Sequence, residues 1–93
     1  MVIKYFADIR LLAQCGEQRV TTAASTLHAL LTELAAQHGA AFQKRIMEDG
    51  RISKGIVIMV NGQNVRYLAG LDTALKPEDD VSIFPMVAGG TDR

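Results

Sequence analysis

The residues best suited to chemistry lie at the C-terminal end, where Val87-Ala88-Gly89-Gly90 is followed by Thr91-Asp92-Arg93. Two adjacent glycines carry no β-carbon, so their backbone is narrow and torsionally free. Such a segment can thread a channel that side chains would block. A glycine α-carboxyl at its end is an unshielded handle whose carbonyl carbon, once activated, accepts a nucleophile. In the chain as written residues 91–93 cover that handle, so the chemistry requires their removal. The segment from Pro85 to Gly90, fully extended, spans about 20 Å at roughly 3.3–3.6 Å per residue. That reach carries a terminal carboxylate into a deep pocket of another protein.

The remaining reactive side chains are less suggestive. Cys15 is the single cysteine, so no intramolecular disulfide forms. No histidine or basic cluster beside it in sequence lowers its pKa, and it reads as an inert thiol at a turn. His28 and His38 are ten positions apart on one predicted helix, hence about 15 Å apart along the axis and about 80° apart around it. They cannot share a metal there, and both read as surface histidines. Glu78-Asp79-Asp80 reads as a solvated loop rather than a cation site. Lys44, Arg45, Arg51 and Lys54 are spread around Glu48 and Asp49, which describes a mixed-charge surface. The sequence contains no phosphate loop, nucleophile elbow or zinc signature. Neither a metal nor a cofactor is expected.

Composition narrows the class further. Ten basic and ten acidic residues give a formal net charge of zero in 93 residues. No basic field exists to hold nucleic acid. The length fits one domain with a modest core. No charged leader precedes an apolar run, and runs such as Ile56–Val60 are too short to span a bilayer. A soluble, cytoplasmic protein without a membrane partner is expected.

The elements that must position the tail follow from periodicity. Residues 2–6 form a first strand, residues 9–15 a helical turn broken by Gly16, and residues 18–22 a returning strand. Leu27, Leu30, Leu31, Leu34 and Ala35 make one apolar stripe on a helix over residues 26–38. Ser25 is the expected N-cap and Gly39 the expected left-handed C-cap. A shorter helix over residues 40–47 places Phe42 and Ile46 on one face. Gly50 opens a loop, and Ile56–Val60 is a strand buried on both faces. Asn61-Gly62 makes a tight turn into an edge strand over residues 63–67. Residues 71–75 form a turn or a single helical turn. Lys76-Pro77-Glu78-Asp79 forms a turn, and residues 81–84 the last strand. The expected architecture is α+β, a mixed sheet of four to five strands crossed by one main helix.

The chain resembles the β-grasp, ubiquitin-like sulfur carriers, namely the small subunit of molybdopterin synthase and its thiamin-pathway relative. The resemblance covers nearly the whole chain. It rests on the run from Ile3 to Leu11, on Val60-Asn61-Gly62-Gln63-Asn64-Val65-Arg66, and above all on the C-terminal third. There Gly70-Leu71-Asp72-Thr73-Ala74-Leu75 is followed by Asp79-Asp80-Val81-Ser82-Ile83-Phe84-Pro85-Met86-Val87-Ala88-Gly89-Gly90. The Phe84-Pro85 step before Val-Ala-Gly-Gly looks more like the molybdopterin branch than the thiamin branch. Three departures stand out: Met86 where the family often has Pro, Glu78 where it often has Gly, and continuation past the second glycine.

The resemblance implies a β-grasp domain over residues 1–85, a carrier tail over residues 86–90 and a removable extension over residues 91–93. It implies a carrier that is not itself an enzyme. An ATP-dependent activating enzyme would adenylate the Gly90 carboxylate, and a persulfide sulfur would displace AMP to leave a thiocarboxylate. The large subunit of a molybdopterin synthase, or another sulfur-acceptor enzyme, would receive the tail of Pro85, Met86, Val87, Ala88, Gly89 and Gly90. A peptidase would trim residues 91–93. Phe6 and Phe84 would lie on the partner-facing side of the sheet, although plain core packing is the alternative for both. Arg10 and Arg66 would supply charges at the rim. Other readings are a carrier for cysteine or another thio-metabolite, a ubiquitin-like modifier, and a non-covalent binding module.

Overall fold

The computed structural model describes residues 1–86. The expected carrier positions Val87, Ala88, Gly89 and Gly90, and the extension at residues 91–93, lie outside the described residues. Strand β1 (Val2–Tyr5) leads into a short helix α1 (Ala7–Ala13), and β2 (Glu17–Arg19) returns antiparallel to β1. Helix α2 (Leu27–His38) and helix α3 (Ala40–Ile46) follow. A two-stranded ribbon, β3 (Met47–Glu48) with β4 (Arg51–Ile52), precedes β5 (Ile56–Val60) and β6 (Gln63–Asn64). Two 3₁₀ turns, Val65–Tyr67 and Gly70–Asp72, lead to the last strand β7 (Asp80–Pro85).

The main sheet has five strands in the order β2-β1-β7-β5-β6. Its centre is β7, parallel to β1 and antiparallel to β5. The result is the expected mixed sheet and α+β layout. Alternation sends Ile3 and Tyr5 of β1, Val81 and Ile83 of β7, and Ile56, Ile58 and Val60 of β5 into one core. The α2 stripe covers that face: Leu27, Leu30, Leu31 and Leu34 are all buried. Each such leucine contributes on the order of 1.5–3 kcal/mol by leaving water. Phe42 and Ile46 of α3 complete the core, on one face as their spacing predicts.

Several local expectations shift. The α2 N-cap is Thr26, whose hydroxyl accepts from Ala29 N–H at 3.2 Å, while the Ser25 carbonyl accepts from Leu75 N–H. Gly39 is the α2 C-cap as expected, its N–H donating to Ala35 O at 2.8 Å; its φ of 98° is positive, but its ψ of −177° is extended rather than left-handed helical, and the same residue starts α3. Gln14, not Gly16, takes the left-handed position after α1. The edge strand after Asn61-Gly62 is only two residues long. The Asn64 side chain accepts from Arg66 N–H and winds the chain into a 3₁₀ turn instead.

Two polar groups are more enclosed than expected. His38 is half-buried, with its ring against Phe42 and edge-on to Tyr5. Its Nε2 lies 2.9 Å from Gln18 Oε1, which also accepts from the Tyr5 hydroxyl at 2.6 Å. Burial holds the His38 pKa below the usual imidazole value and pushes the Tyr5 phenol up. Asp79 is buried rather than solvated. Its Oδ1 accepts from Asn61 Nδ2 at 2.9 Å and its Oδ2 from Lys76 N–H at 2.8 Å. These bonds, the Asn61 one foremost, hold its carboxyl below the usual range. His28 is exposed, as expected.

Candidate functional site

The tail emerges from the central strand of the sheet. Along β7, Phe84 stands opposite Val57 and Pro85 opposite Ile56. Met86 N–H still donates to Gly55 O at 2.7 Å, so backbone bonding continues one residue past Pro85. Pro85 removes no ladder bond. Strand residues bond alternately to either side. Met86 bonds toward β5, so the missing Pro85 N–H faces the β1 side, where β1 has already ended at Tyr5. A proline is tolerated at such a position.

Around this root the chain presents aromatic surface. Phe6 is 46% exposed and Met86 52%, and Phe84 is half-buried. The Phe6 and Phe84 rings meet edge to face with centroids 6.0 Å apart. Neither belongs to the core cluster, so the core-packing alternative does not describe them. They share the sheet face opposite the helices, because Ile83, Val81 and Tyr5 take the inner positions.

The two expected rim arginines are placed differently. Arg66 Nη2 donates to Lys54 O and Ile56 O, both at 3.3 Å, and clamps the start of β5. Arg10, on α1, lies over Gly16; a β-carbon there would stand 3.3 Å from its Nε. Sequence reasoning missed Met86 as part of the exposed apolar strip, although its i+2 spacing from Phe84 places it on the same face. It also read Lys54 and Arg51 only as scattered charge.

The described residues contain no group of three or more His, Cys, Asp and Glu side chains placed to hold a metal. No helix among them is long and apolar enough to cross a membrane. What the site offers is an extended strand end beside an aromatic pair of which Phe6 is exposed and Phe84 half-buried.

The profile of the ThiS family matches residues 3–90. The chain belongs to that family. A protein of Archaeoglobus fulgidus described as a sulfur carrier is 40% identical over 75 residues. That match covers 81% of this chain and 85% of the relative. The sulfur carrier protein CysO of Mycobacterium tuberculosis is 35% identical over 78 residues, covering 81% of this chain and 83% of CysO. The solution structure of small archaeal modifier protein 1 from Methanosarcina acetivorans superposes with a TM-score of 0.81 at 31% identity. It covers 96% of this chain and 94% of that one. These relatives are named as sulfur carrier or small modifier proteins.

Proposed function

We propose that this chain is a sulfur carrier loaded at Gly90. A peptidase removes residues 91–93. An ATP-dependent activating enzyme then converts the Gly90 carboxylate to an acyl-adenylate, and sulfur from a persulfide donor displaces AMP to leave a thiocarboxylate. The chain supplies no catalytic group. It supplies reach, a slim Gly89-Gly90 end and a docking face around Phe6 and Phe84. The observation that carries the reading is that the family match runs through Gly89-Gly90 and stops at Gly90. The strand that feeds this segment is the centre of the sheet, so the body holds the root of the tail firmly.

The acceptor we assign is the large subunit of a molybdopterin synthase-type complex. Its support is the likeness of the Phe84-Pro85 to Gly90 run to that branch. A second reading sends the sulfur to another acceptor, and the 35% identity to CysO favours it. A third joins Gly90 to lysines as a protein modifier, and the likeness to small archaeal modifier protein 1 favours that one.

Intact mass of the protein from its native host tests the loading step. The expected species lacks residues 91–93 and carries sulfur in place of one terminal oxygen. Deleting Gly89-Gly90 should abolish loading while the fold persists, and Gly90→Ala should slow it. A deletion variant that still loads refutes the mechanism. Denaturant-resistant conjugates of higher mass would select the modifier. Binding to a pterin-dependent synthase subunit, rather than to a sulfhydrylase, would select the first acceptor.

A further inference from the structure

The start of β5 sends its carbonyls to opposite sides. Gly55 O accepts from Met86 N–H on the β7 side, while Lys54 O and Ile56 O accept from Arg66 Nη2 on the other. β6 pairs only with Met59 and Val60, so here Arg66 occupies the place of a partner strand. One strand spacing is about 4.8 Å, which sets the Arg66 clamp close to the tail root. A guanidinium carries five N–H donors, and both of these bonds come from Nη2. The same residue lines an open depression of about 480 Å³ together with Glu48, Asp49, Arg51, Ile52 and Lys54.

We propose that this depression is a docking seat for a carboxylate-bearing loop of the activating enzyme, at the mouth of the channel that takes the tail. The inference rests on the carrier reading above and adds the partner's chemistry. Arg51, Lys54 and Arg66 line it with Glu48 and Asp49, a balance of three cations to two carboxylates that favours an anion. The anion is not the nucleotide. Gly90 lies four residue steps beyond Met86, and threaded in extended form those steps place the reacting carboxyl about 13–14 Å beyond the root at roughly 3.3–3.6 Å per residue. Glu48 and Asp49, which line the same depression, also repel a multiply charged phosphate. A single protein carboxylate facing Lys54 and Arg66 escapes the first objection and, with one charge, meets only a weaker form of the second. The seat and the Phe6–Phe84 face then grip the partner on two sides of the strand that delivers the tail.

The test is ATP–pyrophosphate exchange by the activating enzyme of the same organism, using the chain processed to Gly90. The double variant Arg51→Glu, Lys54→Glu leaves the Arg66 clamp in place. At about 0.01 M salt it should lower kcat/KM for the carrier roughly tenfold, with kcat at saturation unchanged. At about 1 M salt, where screening acts within about 3 Å, the difference should nearly vanish. Arg19→Glu changes charge on β2, at the opposite edge of the sheet, and should leave the rate near wild type. Arg19→Glu changes the charge by two units against the double variant's four, so slowing by about half as much on a logarithmic scale, roughly threefold, would assign the effect to net charge and overturn the seat. So would a double variant indistinguishable from wild type at low salt, or inhibition by inorganic phosphate at fixed ionic strength; in those cases the carrier reading stands. A wild-type chain that supports no exchange overturns both.

Discussion

Replacing Asp79 by Ala should destabilise the fold by about 2–3 kcal/mol at neutral pH. The carboxylate accepts two hydrogen bonds, from Asn61 Nδ2 and from Lys76 N–H. Asn61 in turn accepts from Asp80 N–H at 2.9 Å and donates its own N–H to Asp80 O at 2.8 Å. The cluster therefore ties the β5–β6 turn to the first residue of β7. Hydrogen bonds to a charged group contribute about 1.5–3 kcal/mol each. Asn61 and Lys76 are exposed, so water can replace part of what is lost, and the predicted cost falls at and somewhat below the lower end of the summed range of about 3–6 kcal/mol. In a domain of this size each kcal/mol moves the midpoint by about 4–8 °C, which predicts a fall of about 10–20 °C. Thermal and urea unfolding followed by far-UV circular dichroism would measure it. The pH dependence supplies a second check. The folded-state pKa of Asp79 lies below its unfolded value of about 3.9. Its contribution is thus fully present above that value and is lost as the pH falls through the folded one. The gap between wild type and Asp79→Ala should narrow in acid. Comparing the two proteins cancels Asp8, whose carboxyl is also lowered, by Arg45. A gap below about 0.5 kcal/mol at neutral pH, within the usual surface range, refutes the clamp, as does a gap that ignores acid.

His38 titrates below its unfolded value of about 6.5 because burial disfavours its charge, so stability should drop as the pH falls from 6.5 through the folded value. His38→Gln should flatten that part of the profile in urea melts between about pH 7.5 and 5.5, and an unchanged slope would contradict the burial argument. Phe84→Ser should cost the fold only about 1 kcal/mol, the scale of one aromatic pair, yet weaken binding to the activating enzyme at least tenfold. A stability loss above about 3 kcal/mol, typical of a core aromatic, would return Phe84 to the core.

The features legible in the sequence were those set by repeated short-range signals. The leucine spacing in α2 and the unbroken Ile56–Val60 run each state a face several times over, and the burial pattern repeats them. Asn61-Gly62 adopts φ of 52° and 82°, which suits these two residues better than most. The β3–β4 ribbon escaped notice because two-residue strands have no period, although Asp49-Gly50 repeats the same positive-φ pair at its turn. The enclosure of His38 depends on Gln18 and Phe42, twenty positions before it and four after. That of Asp79 depends on Asn61, eighteen positions away. Such pairings arise only when the strands assemble. The aromatic pair was nameable from the chain, but its exposure follows from the register that gives the inner positions to Ile83 and Tyr5. Arg66 read as free rim charge because nothing local indicates that the start of β5 lacks a neighbouring strand.

The placement of β7 has a mechanical consequence. Its neighbour β1 begins at the N-terminus and runs in the same direction. A pull applied between Met1 and the tail therefore loads every backbone bond between these two strands at once, in shear. Such bonds must rupture together, whereas a hairpin pulled from its open end unzips one at a time. An enzyme that gripped and tugged the end of this chain would thus load those bonds together rather than one after another.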